Sequence, residues 1–218
     1  MNYKCVIFDF DGTLADTEKV NFRIFQEIAD KYKIKKISLE EMRKLKKLSA
    51  LEIIDQLNIK KRNIPGMMRK GRRRLHASIE EVKWCREKWP QIIRGIKESG
   101  YTVGIITSNS KKNVRKFLKN KDFQYFEFVY NSGLAGKERK IKKVMRKWKL
   151  SNEEILYVGD EIRDIKASHN MKVHIASVDW GYNTRESLER NNPDYIIENP
   201  KELLEILGIN GADIIGKN

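Results

Sequence analysis

The stretch Lys4–Glu18, KCVIFDFDGTLADTE, decides how the rest of the chain is read. Its opening run, Lys4–Phe8, is apolar after the leading lysine and too short for a helix, which predicts a buried strand. The chain then turns polar at Asp9, Asp11 and Thr13, with Gly12 permitting a turn and close backbone approach. On an extended strand end, Asp9 and Asp11 stand two residues apart and so point the same way, toward one reacting group.

Working outward, similar short runs recur at Val103–Ile106, Phe126–Tyr130, Ile155–Val158 and Val173–Ala176, with a weaker one at Tyr195–Ile197. Helical patterns fill the intervals. The clearest is 138–148, where Ile141, Val144, Met145 and Trp148 take the i, i+3, i+4, i+7 positions. Short apolar strands separated by helices predict an α/β fold whose parallel sheet is buried on both faces and joined by right-handed crossovers.

One segment departs from this texture. Residues 17–88 hold 21 Lys/Arg and 10 Asp/Glu, a local charge of +11 that leaves +4 for the remainder. Phe22, Phe25, Ala29 and Tyr32 share one helical face, and Ser38-x-x-Glu41 and Ser49-x-x-Glu52 each fit the capping box that starts a helix. A break falls near Asn63–Gly66. The segment therefore reads as a helical module inserted into the α/β fold, and the chain shows no internal repeat.

Composition bounds the rest. At 218 residues the chain can bury a substantial core, and 40% hydrophobic residues exclude a wholly disordered protein. Two cysteines, Cys5 and Cys85, cannot build a disulfide framework, which points to a reducing compartment. No apolar run approaches the ~18 residues of a membrane span, and charges interrupt the start where a signal peptide would be apolar. A soluble cytoplasmic protein is expected. The net charge of +15 calls for anionic partners without choosing among nucleic acid, membrane surface and small phosphorylated compounds.

In an open parallel sheet, ligands gather beyond the carboxyl ends of the strands. Those ends here carry Asp9 and Asp11, then Thr107-Ser108-Asn109, then Gly159-Asp160-Glu161 with Asp164 four residues past Asp160. Such a concentration of carboxylates repels itself unless it holds a divalent cation, and hard oxygen ligands favour Mg²⁺, with Asp9 and Asp160 as direct ligands. Asp9 then suits nucleophilic attack on phosphorus. Asp11 suits protonation of the leaving oxygen and, afterwards, deprotonation of the hydrolysing water. Thr107 and nearby amides suit the phosphoryl oxygens, and a lysine is required to balance their charge.

DFDGTLADTE at Asp9–Glu18, IITSN at Ile105–Asn109, Lys137 in GKERK and GDEIRD at Gly159–Asp164 resemble, in order and spacing, the four motifs of the haloacid dehalogenase (HAD) superfamily. The resemblance covers nearly the whole chain and implies a Rossmann-like core with strand order 5-4-1-2-3, residues 1–16 and 86–218. It also implies a small helical cap of the C1 type, residues 17–85, as in phosphoglycolate phosphatases and β-phosphoglucomutase. It makes Asp9 the nucleophile, Asp11 the acid/base with its carbonyl on Mg²⁺, Asp160 a metal ligand, and Thr107 and Lys137 the phosphate stabilisers. Gly12, Thr13, Ser108 and Asn109 are the further phosphate-binding candidates, and Asp164 and Glu161 stand behind the metal ligands.

Among the clustered Lys137, Lys140, Lys142 and Lys143, the 23-residue separation of Lys137 from Asp160 best matches the family. Lys46 and Lys47 fall where capped relatives present substrate-facing residues. True dehalogenases lack the second aspartate, so Asp11 argues for phosphate chemistry. Glu138 stands where many phosphoglycolate phosphatases carry proline after the lysine, and Ala176–Asn183 resembles a loop common after their fifth strand.

The expected function is a Mg²⁺-dependent phosphatase acting on a small phosphorylated metabolite, the chain being a monomer or weak homodimer. The alternatives are a phosphomutase of the β-phosphoglucomutase type and, from another class, a nucleic-acid-binding or regulatory protein using the basic segment. The run Arg69–Arg74 lacks the interleaved aromatics that nucleic-acid binding favours. Either Asn109 or Ser110 can cap a helix starting at Lys111. Trp84, Trp89 and Trp180 read as packing residues, Cys5 as core, and His76, His169 and His174 lack metal-ligand spacing.

Overall fold

The computed structural model describes residues 2–133, 136–211 and 214. Strands β1 (Cys5–Phe8), β4 (Thr102–Thr107), β5 (Phe128–Asn131), β6 (Ile155–Gly159), β7 (His174–Val178) and β8 (Tyr195–Ile197) form one parallel sheet. Their spatial order is β5-β4-β1-β6-β7-β8, which is the expected five-strand order with the weak Tyr195–Ile197 run added at the edge beside β7. Strand β1 lies at the centre, pairing Cys5–Phe8 with Thr102–Ile105 on one side and with Ile155–Val158 on the other.

Alternation along these strands builds two cores. Val6, Phe8, Val103, Ile105, Leu156 and Val158 face one layer, where α5 (Trp89–Glu98), α6 (Lys111–Asn120) and α10 (Glu202–Ile206) supply Ile92, Phe117 and Leu203. Cys5, Ile7, Ile155 and Tyr157 face the other layer, formed by α7 (Glu138–Trp148), α8 (Ile162–Met171) and α9 (Arg185–Glu189). Because both faces are covered, the strands read as continuous apolar runs and their polar residues are confined to the ends.

Residues 17–85 hold α1 (Glu18–Tyr32), α2 (Leu39–Leu45), α3 (Ala50–Gln56) and α4 (Ile64–Ala77). Both capping boxes form, Ser38 with Glu41 and Ser49 with Glu52. The segment leaves and rejoins the sheet through an antiparallel pair, β2 (Ala15–Asp16) with β3 (Lys83–Trp84). Helix α1 carries the expected Phe22, Phe25, Ala29 and Tyr32, and its buried residues are Val20, Ile24 and Ile28 with Ala29. Helix α1 is covered on two sides: its aliphatic stripe packs toward α4 and the sheet, while Phe22 and Phe25 line an apolar cavity shared with α2 and α3. Trp84 and Trp180 pack partly buried and Trp89 wholly buried, Trp89 and Trp180 both donating to the Thr13 carbonyl at 2.9 and 3.2 Å. Among the described residues no helix is long and apolar enough to cross a membrane.

Candidate active site

Where β1 ends, Asp9 N donates to the Val158 carbonyl at 2.8 Å, so the backbone remains extended for one residue beyond the strand. Phe10 turns into the apolar core against Phe117, and Asp9 and Asp11 stand on its two sides. Asp9 is fully buried. Its Oδ1 lies 3.0 Å from Lys137 Nζ as an ion pair, yet neither carboxylate oxygen has a hydrogen bond among the described residues. Asp11 receives the Asn109 amide on both oxygens at 3.0 Å. Burial, then the charge of Asp9, pushes the Asp11 carboxyl up to about 6, against the pull of hydrogen bonds from Thr17 and Asn109.

The turn after Asp11 needs glycine on two counts. Gly12 has φ +82°, and a Cβ there would stand 2.3 Å from Asp160 Oδ2 and 2.5 Å from the Tyr182 ring. That close approach lets Thr13 Oγ1 donate to Asp160 Oδ1 at 2.6 Å, while Tyr182 N donates to Oδ2 at 2.7 Å. The Asp160 carboxylate is thus held at both oxygens. Burial, together with the charges of Glu161, Asp9 and Asp164, raises it well above the usual range.

Lys137 is the N-cap residue of α7 and is buried between two carboxylates, Asp9 and Asp164. Burial works against its charge, but Asp164 and Asp9 prevail and hold the ammonium well above the usual lysine range. Asp164 spends its oxygens on Lys137 and on Glu161 N at 3.2 Å. Burial lifts Asp164 to about 6, with Lys137 pulling down and Asp9 and Glu161 pushing up. Asp9, Asp160 and Asp164 each offer one oxygen within 4.8 Å of the others. Buried hard donors, with both Asp9 oxygens free of hydrogen bonds among the described residues, fit a hard divalent cation.

From β4, Thr107 is buried and its Oγ1 accepts Asn109 N at 2.9 Å. The amide of Asn109 is spent on both oxygens of Asp11. Ser110, not Asn109, caps α6. The Oγ of Ser108 accepts Arg163 Nη2 at 3.3 Å, and its carbonyl accepts Arg72 of α4. Arg163 also pairs with Glu161. Lys46 Nζ pairs with Glu18 at 3.0 Å, and the exposed Lys47 lies 3.8 Å from Glu186. A cavity of about 610 Å³ separates α3 and α4 from this edge, lined by Lys137, Arg163 and Ser132 below and Ile53 and Met68 above.

Three of these residues, Arg72, Arg163 and Tyr182, were not picked out by sequence reading. Arg163 sits inside GDEIRD and Arg72 inside RKGRRR, but neither composition nor spacing says that both converge on Ser108.

A doubly wound parallel sheet with buried aspartates at its central strand ends and the buried Lys137 beside them defines an α/β enzyme suited to divalent-metal chemistry. The chain belongs to the haloacid dehalogenase-like hydrolase family, whose sequence model matches residues 6–178. It is 25% identical over 207 residues to a phosphoglycolate phosphatase of Synechococcus elongatus, covering 93% of this chain and 96% of the relative. It is 26% identical over 217 residues to the pyrophosphatase PpaX of Bacillus mycoides, covering 97% and 100%. A haloacid dehalogenase-like family hydrolase of Streptococcus pneumoniae shares the fold with a TM-score of 0.79 at 20% identity, over 94% of this chain and 98% of that one.

Proposed function

We propose that this chain is a Mg²⁺-dependent phosphatase that hydrolyses a small phosphorylated metabolite through an aspartyl-phosphate on Asp9. Residues 17–85 act as a cap over a core of residues 1–16 and 86–218, and the two free cysteines suit a reducing cytoplasm. The observation that carries this reading is the Asp9 carboxylate, fully buried, without a hydrogen bond and 3.0 Å from Lys137 Nζ. Relatives named as phosphoglycolate phosphatase and pyrophosphatase support it.

In the first half-reaction an Asp9 oxygen attacks phosphorus, the bond to the leaving oxygen breaks, and Asp11 gives that oxygen a proton. In the second, water attacks the phosphorus of the aspartyl-phosphate, Asp11 takes back a proton, and phosphate leaves with Asp9 restored. Thr107, Ser108 and Lys137 hold the phosphoryl oxygens, and Asn109 keeps Asp11 aimed. Asp9, Asp160 and the Asp11 carbonyl hold Mg²⁺, which when bound offsets the repulsion between carboxylates and phosphate. Asp164, already engaged by Lys137 and Glu161 N, positions that lysine. The cation-rich residues 17–85 attract phosphorylated anions, Arg72 reaches the Ser108 edge, and closure of the cap excludes water.

The test is a panel of phosphate monoesters and pyrophosphate, with Mg²⁺ and with EDTA, followed by separation of products. Release of phosphate only with Mg²⁺ is expected. Conversion of a hexose phosphate to its isomer would make the protein a mutase. No turnover of any compound, with salt-sensitive binding of duplex DNA, would replace the enzyme reading by the binding one.

A further inference from the structure

We propose that Asn183 is a positioning residue that ties closure of the helical segment to the seat of Asp160; the idea rests on the phosphatase reading. Asn183 is buried, and its side chain faces two ways. Nδ2 donates to the carbonyls of Lys46 at 2.7 Å and Leu48 at 3.0 Å, in the turn between α2 and α3. Oδ1 accepts Ile162 N at 2.9 Å in the first turn of α8, directly after Asp160-Glu161, and Asn183 N donates to the Asp160 carbonyl at 3.3 Å. One side chain thus holds the cap turn with one end and the backbone beside Asp160 with the other.

The neighbouring residues complete the strap. Thr184 N donates to the Lys46 carbonyl at 3.2 Å, and Ser187 Oγ donates to that of Lys47 at 3.0 Å. Tyr182 N holds Asp160 Oδ2, while the Tyr182 hydroxyl accepts the Asn21 amide of α1 at 2.7 Å. The 46–48 turn therefore docks through its carbonyls, while its two lysine side chains face Glu18 and Glu186. If this turn lifts away, the Asn183 amide loses both acceptors at once, and a buried donor without a partner is unfavourable. The amide then turns to find water, and Ile162 N loses its acceptor. Closure of the turn and the ordering of Asp160 are one linked equilibrium, and linkage is reciprocal: whatever binds at Asp160 must also stabilise the closed turn.

Two variants separate the ends of the side chain. Asn183→Asp keeps an acceptor for Ile162 N but sets a carboxylate against the carbonyls of Lys46 and Leu48. Asn183→Ala removes both ends. In Asn183→Asp, KM is expected to rise about tenfold or more, because only the closed fraction binds productively, while Mg²⁺ affinity by calorimetry stays within about twofold. In Asn183→Ala, Mg²⁺ affinity falls by about tenfold as well.

The coupling itself is read by amide hydrogen exchange of residues 46–48, which Mg²⁺ slows in the wild-type protein and leaves unchanged in Asn183→Ala. An equal response to Mg²⁺ in that variant, or an unchanged KM in Asn183→Asp, overturns the proposal. Should Asn183→Ala not fold, Ser187→Ala releases only the Lys47 carbonyl, and an unchanged KM there overturns it too. The exchange experiment needs no turnover, so a wild-type protein that hydrolyses nothing would sink the phosphatase reading without deciding this one.

Discussion

Replacing Lys137 by methionine removes the one ammonium lodged between Asp9 and Asp164 while keeping most of the side-chain volume. The lysine is 4% exposed, with Asp9 Oδ1 at 3.0 Å and Asp164 bonded directly. Leaving a buried carboxylate without its partner costs about 3–5 kcal/mol. Asp164 limits that cost, because its carboxyl already sits at about 6 and can take up a proton instead. Loss of Lys137 removes the charge that pulls Asp164 down most, so its protonation becomes easier still, and a net loss of about 3 kcal/mol is expected once Asp9 is included. For a chain of this size that corresponds to a fall in Tm of roughly 6–12 °C.

The pH dependence has a definite sign. A carboxylate raised in the folded state binds more protons there than when unfolded, so stability is lost as pH rises through about 6. Without Lys137 the Asp164 carboxyl is held higher still, so the variant goes on losing stability above the pH at which the wild-type protein has finished, and its deficit should be larger at pH 7.5 than at pH 5.5. The assay is thermal unfolding in EDTA at both pH values, repeated with Mg²⁺, alongside turnover of the best substrate. Partial rescue of Tm by Mg²⁺ is expected, with a loss of about 10³-fold in kcat. A Tm within about 2 °C of wild type at both pH values would refute the electrostatic role assigned to this lysine.

Three further outcomes follow from the same geometry. Asp9→Asn should abolish turnover with the fold retained by circular dichroism, and appreciable residual activity would remove Asp9 as nucleophile. Asp11→Asn should slow both half-reactions, seen as a reduced burst together with slow decay of acid-trapped phosphoenzyme; unchanged kinetics would remove its proton-transfer role. Thr13→Val deletes the hydroxyl donated to Asp160 Oδ1 at 2.6 Å without changing the shape much, and should weaken Mg²⁺ binding about tenfold in calorimetry. An unchanged affinity would show that this hydrogen bond does not set the carboxylate.

Much of this site was legible because its parts obey short-range rules. Asp9 and Asp11 follow an apolar run, and so do Thr107 and Asp160; the topology of a parallel sheet brings such ends together whatever the loops do. Lys137 was preferred to Lys140, Lys142 and Lys143 because its separation from Asp160 best matches the family, and in the fold it is the N-cap residue of α7, buried beside Asp9 and Asp164. The face read on α1, Phe22 and Phe25 with Ala29 and Tyr32, is as regular a pattern as Val20, Ile24 and Ile28 beside it. Only the helix's neighbours decide which face is buried more deeply.

The local sequence by itself determined the strands, the capped helices, the basic insertion and the carboxylates at the strand ends. Each rests on periodicity or on groups a few residues apart, where the backbone fixes the geometry. Tertiary structure alone decided the partners. Thr13 meets Asp160 across 147 residues, Asn183 meets Lys46 across 137, and Arg72 meets Ser108 across 36. None of these pairs leaves a periodic trace, because a hydrogen bond between distant segments constrains one residue on each and nothing between them. That is why the polar residues at the strand ends could be picked out in the sequence, while the contacts that hold the 46–48 turn against Asn183 could not.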